Sequence, residues 1–241
     1  EGLIDQCFQI ANQYEQLFSN TLENSDISRI NANAGEFVEV DEKTVNVIQK
    51  GIHYGKLSDG FFDITIGPLS GLWNISQLAV SSDSDNNEVS SSVIPQKQDL
   101  LKALTHIDYK KILISGNQVK LTDKKARLDL GGIAKGYIAD EMKAFLNEQG
   151  ITTGIINLGG NVLTLGPKAD QTPYSIGIQK PFADQRTILG TLKVKNASVV
   201  SSGIYERYIT VNNQIYHHII DPTTGYPVEN ELWQVTIISQ S

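Results

Sequence analysis

The chain has 241 residues and a mass of 26.5 kDa, enough for one large domain or two small ones, and 40% hydrophobic residues can supply a sizeable core. Twenty Lys and Arg against 27 Asp and Glu leave a formal net charge of −7, which excludes a broad basic face for nucleic acid and means that a phosphorylated ligand needs a metal ion or a local cluster of donors. One Cys excludes a disulfide framework and any multi-cysteine metal site, and no apolar run approaches the ~20 residues that span a bilayer.

Residues 3–18 carry Leu3, Ile4, Cys7, Phe8, Ala11, Tyr14, Leu17 and Phe18 at three- and four-residue spacings, the stripe of an amphipathic helix with Cys7 packed inward. Ser25–Asn31 reads as a short helical turn capped by Ser25 or Asn24. Glu36–Val40 alternates like a strand, and Asp41 then caps a second helix whose Val45, Ile48 and Ile52 face inward until Asp59-Gly60. The Ser- and acid-rich stretch 81–92 cannot support a core and is expected to be a mobile surface loop. Amphipathic structure resumes at Asp99–Leu104. Lys111–Ser115 and Gln118–Thr122 flank Gly116-Asn117, a hairpin signal. A helix carrying Tyr137, Ile138, Met142, Phe145 and Leu146 closes at Gly150. Strands follow at 154–158, 162–165, 174–179, 188–194 and 198–201, then a hairpin of 205–211 with 214–220 turning at Asn212-Asn213, then a last strand at 233–238. Helices early and strands late describe an α+β fold.

Four clusters carry residue types suited to chemistry. In Asp59–Trp73 (DGFFDITIGPLSGLW), an aromatic ligand could stack on Phe61 or Phe62 with Asp63 and Thr65 as hydrogen-bonding groups; a core strand followed by a Gly-Pro turn accounts for the same residues. Asp129–Gly136 (DLGGIAKG) sits at a strand–helix junction where backbone N–H groups and Lys135 suit a phosphate, or where the glycines simply permit a packed turn. Its glycine spacing is not the dinucleotide fingerprint, and Tyr137 stands where a P-loop needs Ser or Thr. Asn157–Asn161 (NLGGN) is a glycine turn. Ser201–Pro227 gathers Ser, Tyr, Arg, His, Asp and Thr. His217 and His218 are adjacent, so in a strand they point to opposite faces and do not share a metal. His218, just ahead of Asp221, is the better acid–base or ligand candidate, while Asp221 also suits the cap of its own DPTTG turn. No nucleophile-elbow sequence supports a Ser–His–Asp triad.

Taken together, SDISRIN, GFFDITIGPLSGLW, LDLGGIAKGYIAD, INLGGNV, SSGIYERY and YHHIIDPTTGYPV resemble, in this order, the FAD:protein FMN transferase family, the ApbE-type flavin transferases. The resemblance runs from about Ser19 to Val228. It implies a single ApbE-like domain over residues 1–241, α+β, with mixed and antiparallel sheets and packed helices. It implies a Mg²⁺-dependent transferase that takes FAD as substrate, attaches FMN through a phosphoester to a Thr or Ser hydroxyl of an acceptor flavoprotein, and releases AMP. The alternatives are an FAD pyrophosphatase giving FMN and AMP, and a non-catalytic flavin-binding surface protein. Acceptors in the family belong to membrane or surface electron-transfer systems. Many members are exported lipoproteins, so the expected location is extracytoplasmic, with any lipid anchor outside this chain.

Residue by residue, the resemblance assigns Phe62, Asp63, Thr65, Asp129 and Lys135 to flavin-nucleotide contacts and the Gly132 backbone carbonyl to the metal. Ser202, Tyr205 and Thr224 match the end of the FAD cleft. His218 is the catalytic candidate, with Asp221 orienting. Thr21 stands near where many members carry an aromatic. The resemblance further implies that the intact protein has a Met-Gly-Thr strand before the first helix, and a segment after Ser241 whose Asp and Thr ligate the metal.

Overall fold

The computed structural model describes residues 2–81, 89–184 and 186–240. Its helices are α1 (Leu3–Phe18), α2 (Asp26–Ala32), α3 (Glu42–Leu57), α4 (Gly67–Trp73), α5 (Ile75–Ser81), α6 (Lys97–Leu104) and α7 (Ala134–Glu148). Its strands are β1 (Val38–Glu39), β2 (Ile112–Ser115), β3 (Gln118–Leu121), β4 (Gly154–Leu158), β5 (Asn161–Leu165), β6 (Tyr174–Gln179), β7 (Ile188–Val194), β8 (Ser198–Gly203), β9 (Tyr208–Val211), β10 (Gln214–His217) and β11 (Gln234–Ser239). All paired strands run antiparallel, and the fold is α+β as expected. Among the described residues no helix is long and apolar enough to cross a membrane.

The chain divides into two compact units, one of Asn12–Ala134 with Arg207–Glu229, the other of Glu1–Ala11, Lys135–Glu206 and Asn230–Ser241. In the first, side chains cap the helices as the sequence suggests. Ser25 accepts the Ser28 N–H at 3.0 Å, and Asp41 accepts the Lys43 N–H at 2.8 Å. Buried Asp26 ties the two helix starts together, accepting from Asp41 N–H at 2.9 Å and Thr44 Oγ1 at 2.7 Å. The hairpin β2–β3 turns at Gly116-Asn117 and pairs with β1, which is only two residues long. A second core, of Leu69, Trp73, Ile75, Leu100, Ala103, Ile209 and Val211, joins α4, α5 and α6 to the β9–β10 hairpin. That hairpin turns on Asn212 and Asn213, both at positive φ, the geometry of a tight primed turn.

The serine-rich loop expected at 81–92 falls, for residues 82–88, outside the described residues. At its C-terminal end the Val89 N–H donates to the Thr210 carbonyl at 2.9 Å and the Val89 side chain packs on the second core. Asp59–Trp73 differs from the strand-to-turn reading: Gly67–Trp73 is helical. Pro68 sits in the first helical turn, where its missing N–H would be unpaired anyway and its fixed φ suits the helix.

In the second unit a four-stranded sheet runs in the order β11-β8-β5-β4. Side chains alternate across it. Ile156, Leu163 and Leu165 pack with Ala139 and Met142 of α7 and with Ile10 and Ala11, while Val162 and Val199 pack with Ile176 and Val194 of the β6–β7 hairpin. The expected stripe of α1 is only partly buried, because Ile4 and Phe8 are 73% and 65% exposed. Cys7 is half-buried rather than enclosed, and that burial pushes its thiol pKa up.

Candidate functional site

Two of the motifs are stitched together by backbone. Asp129 N–H donates to the Ile64 carbonyl at 2.8 Å, Gly67 N–H donates to the Arg127 carbonyl at 3.1 Å, and Ile66 bridges Arg127 in parallel. A Cβ at Gly67 would lie 2.5 Å from the Arg127 oxygen, so the crossing requires glycine there. This brings Phe62, Asp129 and Gly132 to one place. A Cβ on Gly132 would sit 2.9 Å from Phe62 Cε2, so bare backbone lies against the ring edge. Tyr54 meets that ring edge-on, with ring centroids 6.3 Å apart. The Asp129 carboxylate is clamped: Oδ1 accepts the Gly131 N–H at 2.9 Å and Oδ2 accepts the Ser70 hydroxyl at 2.8 Å. Phe61, next to this group, is 69% exposed.

Asp63 and Thr65 lie beside it but look inward. Asp63 Oδ1 accepts both the N–H and the hydroxyl of Thr65 at 2.7 Å, and Oδ2 accepts the Tyr109 N–H at 2.9 Å. The Thr65 oxygen accepts the Asp108 N–H at 2.9 Å. Burial pushes the Asp63 carboxyl up, against the hydrogen bonds from Thr65 and Tyr109, which favour the carboxylate. The pair pins residues 63–65 to residues 108–109. Asp63 also lines a cavity of about 200 Å³ with Asp59, Asp108, Lys110 and Thr223.

The two adjacent histidines have different surroundings. His217 is buried; its Nε2–H donates to the Val228 carbonyl at 2.9 Å and its Nδ1 accepts the Ile219 N–H at 3.3 Å. Burial lowers its pKa, partly offset by the bond to Val228. His218 is half-buried, and its Nδ1 meets the Arg207 carbonyl at 3.1 Å. A carbonyl only accepts, so Nδ1 carries the proton and Nε2 is the basic nitrogen of the neutral ring. Asp221 serves its own turn, accepting the Thr223 N–H at 2.7 Å and hydroxyl at 2.6 Å. Thr224 is exposed and its hydroxyl accepts the Tyr226 N–H at 3.3 Å. Trp73, which the sequence did not single out, anchors this turn. Its buried Nε1–H donates to the Gly225 carbonyl at 2.7 Å, and its ring stacks on Tyr216 at 5.4 Å.

The remaining candidates belong to the other unit. Lys135 Nζ donates to the Gly159 carbonyl at 3.0 Å, so this ammonium is held on the NLGGN turn. Ser202 is exposed on β8, opposite Val235. Tyr205 is half-buried; burial and then the neighbouring Glu206 charge push its phenol up. Its ring meets Phe182 edge-on at 6.0 Å, and Phe182 meets Trp233 at 5.7 Å. Trp233, Ile178, Pro181, Leu189 and Leu232 line an apolar groove of about 340 Å³ beside this trio.

A magnesium ion takes six oxygen ligands in near-octahedral geometry. Among the described residues no three His, Cys, Asp or Glu side chains gather to hold a metal. The exposed Gly132 backbone offers a carbonyl, which alone is no such shell.

A sequence model of the ApbE family matches residues 2–241, nearly the whole chain. The chain belongs to the ApbE family. A relative from Klebsiella pneumoniae, an FAD:protein FMN transferase, is 36% identical over 99% of this chain and 71% of its own length. Another FAD:protein FMN transferase, from Vibrio cholerae, is 31% identical over 90% of this chain. The chain spans 62% of that relative's length. The solved ApbE protein of Thermotoga maritima superposes with a TM-score of 0.85 at 34% identity, covering 99% of this chain and 74% of that one. The flavin transferase ApbE of V. cholerae gives 0.81 at 28% identity over 99% of this chain and 73% of that one. The ApbE fold thus accounts for the α+β architecture.

Proposed function

We propose that this chain carries the flavin-handling part of an FAD:protein FMN transferase. The observation that carries the reading is the relative of that name, 36% identical across 99% of the chain. The Phe62–Gly132–Asp129 group supports it: an aromatic ring edge, accessible backbone and an oriented carboxylate suit a flavin nucleotide.

In the proposed reaction a Thr or Ser hydroxyl of an acceptor flavoprotein attacks the FMN-side phosphorus of the FAD pyrophosphate. A new P–O bond forms, the bond to the AMP phosphate breaks, AMP departs with that electron pair, and the hydroxyl proton passes to a base. We assign that base to His218, whose Nδ1 proton is committed to the Arg207 carbonyl. Asp221 and Thr224 shape the turn that follows it. Attack of this kind depends on alignment and on neutralising phosphate charge. The resemblance to the family supports Mg²⁺ as the neutralising ion, which would offset the negative charge of the pyrophosphate when bound. The resemblance to the family also supports an acceptor in a membrane or surface electron-transfer system and an extracytoplasmic lipoprotein.

The test is incubation of the intact protein with FAD, Mg²⁺ and a Thr-containing acceptor, followed by mass spectrometry. Covalent FMN on the acceptor and stoichiometric AMP are expected. AMP without acceptor modification would instead identify an FAD pyrophosphatase, and the absence of both products would leave a flavin-binding protein at most.

A further inference from the structure

We propose that Ser70 is a positioning residue of the flavin-nucleotide site, acting through Asp129. The inference rests on the assignment of FAD to that site. The two residues are 59 positions apart, and the Ser70 hydroxyl reaches Asp129 Oδ2 at 2.8 Å. Its other acceptor, the Gly67 carbonyl, is at 3.3 Å. One hydroxyl proton goes to the nearer and better acceptor, the carboxylate.

Rigid structure lies behind that hydroxyl. Ser70 stands on α4 beside fully buried Leu69, and the far end of the helix is fixed by buried Trp73 through its bond to Gly225. On the other side of the carboxylate, Gly131 N–H holds Oδ1 at 2.9 Å. With each oxygen bound to a different element, the carboxylate plane is set. A carboxylate offers about four acceptor sites, so those remaining point in fixed directions. They suit the ribityl or ribose hydroxyls, or a ring N–H, of a flavin nucleotide. Without Ser70 the carboxylate keeps only the short-range bond to Gly131 and turns about its own axis. A ligand would then have to order it on binding, and that costs affinity.

FAD affinity would be measured by flavin fluorescence, and KM and kcat by FMN transfer, for the wild type, Ser70→Ala, Ser70→Thr, Asp129→Ala and the Ser70→Ala/Asp129→Ala double variant. Ser70→Ala should raise the FAD Kd and KM about fivefold while kcat stays within about twofold and the melting temperature hardly moves. Ser70→Thr, which restores a hydroxyl, should recover the loss. In the Asp129→Ala background, removing the Ser70 hydroxyl should add nothing, because its partner is already gone. Unchanged affinity in Ser70→Ala overturns the inference. So does the same fivefold loss in the Asp129→Ala background, since Ser70 would then act by another route. A wild-type protein that binds no FAD overturns the proposed function itself, and this inference with it, before any variant is compared.

Discussion

His217 and His218 are neighbours in sequence and opposites in physical state. His217 has both ring nitrogens engaged in the neutral form, and burial disfavours its cation. Its pKa in the fold therefore lies below the 6.5 of a free imidazole, and the unfolded chain takes up the proton first. By linkage, the stability this group contributes is present above about pH 6.5 and declines as the pH falls toward the folded pKa. Between pH 7 and 5 the wild type should lose more stability than His217→Gln, whose amide can still donate to Val228 but does not titrate. Denaturant unfolding at several pH values checks this; parallel pH profiles for the two proteins would sink it. The same contrast limits what residue type reveals. The sequence singles out Asp63, Thr65, Asp129, His218 and Asp221 alike, because each is a group that could meet a ligand. The structure separates them by where their bonds go. Asp63 and Thr65 spend their polar atoms on one another and on the 108–109 backbone, and Asp221 on its own turn. Asp129 is oriented beside exposed glycines.

At the scale of elements, those with a strong local code are legible. The 3.6-residue stripes foretell α1, α3 and α7, and Gly116-Asn117 and Asn212-Asn213 foretell two hairpins, because period and turn chemistry act over a few residues. Elements defined by distant partners are not. β1 shrinks to the two residues that face β3, and β5 lies beside β8 only because the whole β6–β7 hairpin projects between them in sequence. GPLSGLW hid a helix behind a proline and two glycines. Pro68 sits in the first turn of α4, and Asn74, in a left-handed conformation, ends it before α5 begins at Ile75. The value of that short helix is what it holds, Asp129 through Ser70 at its middle and the DPTTG turn through Trp73 at its end. Trp73→Phe preserves the aromatic stack on Tyr216 but leaves the Gly225 carbonyl without its donor in a buried place. It should cost about 1–3 kcal/mol in unfolding free energy, read from urea denaturation. A loss below about 0.5 kcal/mol would mean that the indole N–H anchors nothing.

For the molecule as a whole, a net charge of −7 opposes an anionic dinucleotide, so affinity must come from local donors, ring contacts and any ion that arrives with the ligand. FAD that binds only the folded chain stabilises it by mass action, about 2.7 kcal/mol at a concentration 100 times its Kd. For a chain of this size that corresponds to a rise in melting temperature of roughly 5–10 °C. Thermal unfolding with increasing FAD should show this rise, and a flat response at saturating FAD would remove nucleotide binding from the reading of the site. Magnesium provides a second arm. The described residues gather no three His, Cys, Asp or Glu side chains that could hold a metal, whereas a pyrophosphate contributes the oxygens and the negative charge that Mg²⁺ seeks. Mg²⁺ alone should therefore leave the melting temperature of this chain where it is, and should add to the shift only when FAD is present. EDTA should abolish that added increment and spare the part due to FAD. A Mg²⁺ shift without nucleotide would show instead that this chain supplies a preformed ion site of its own.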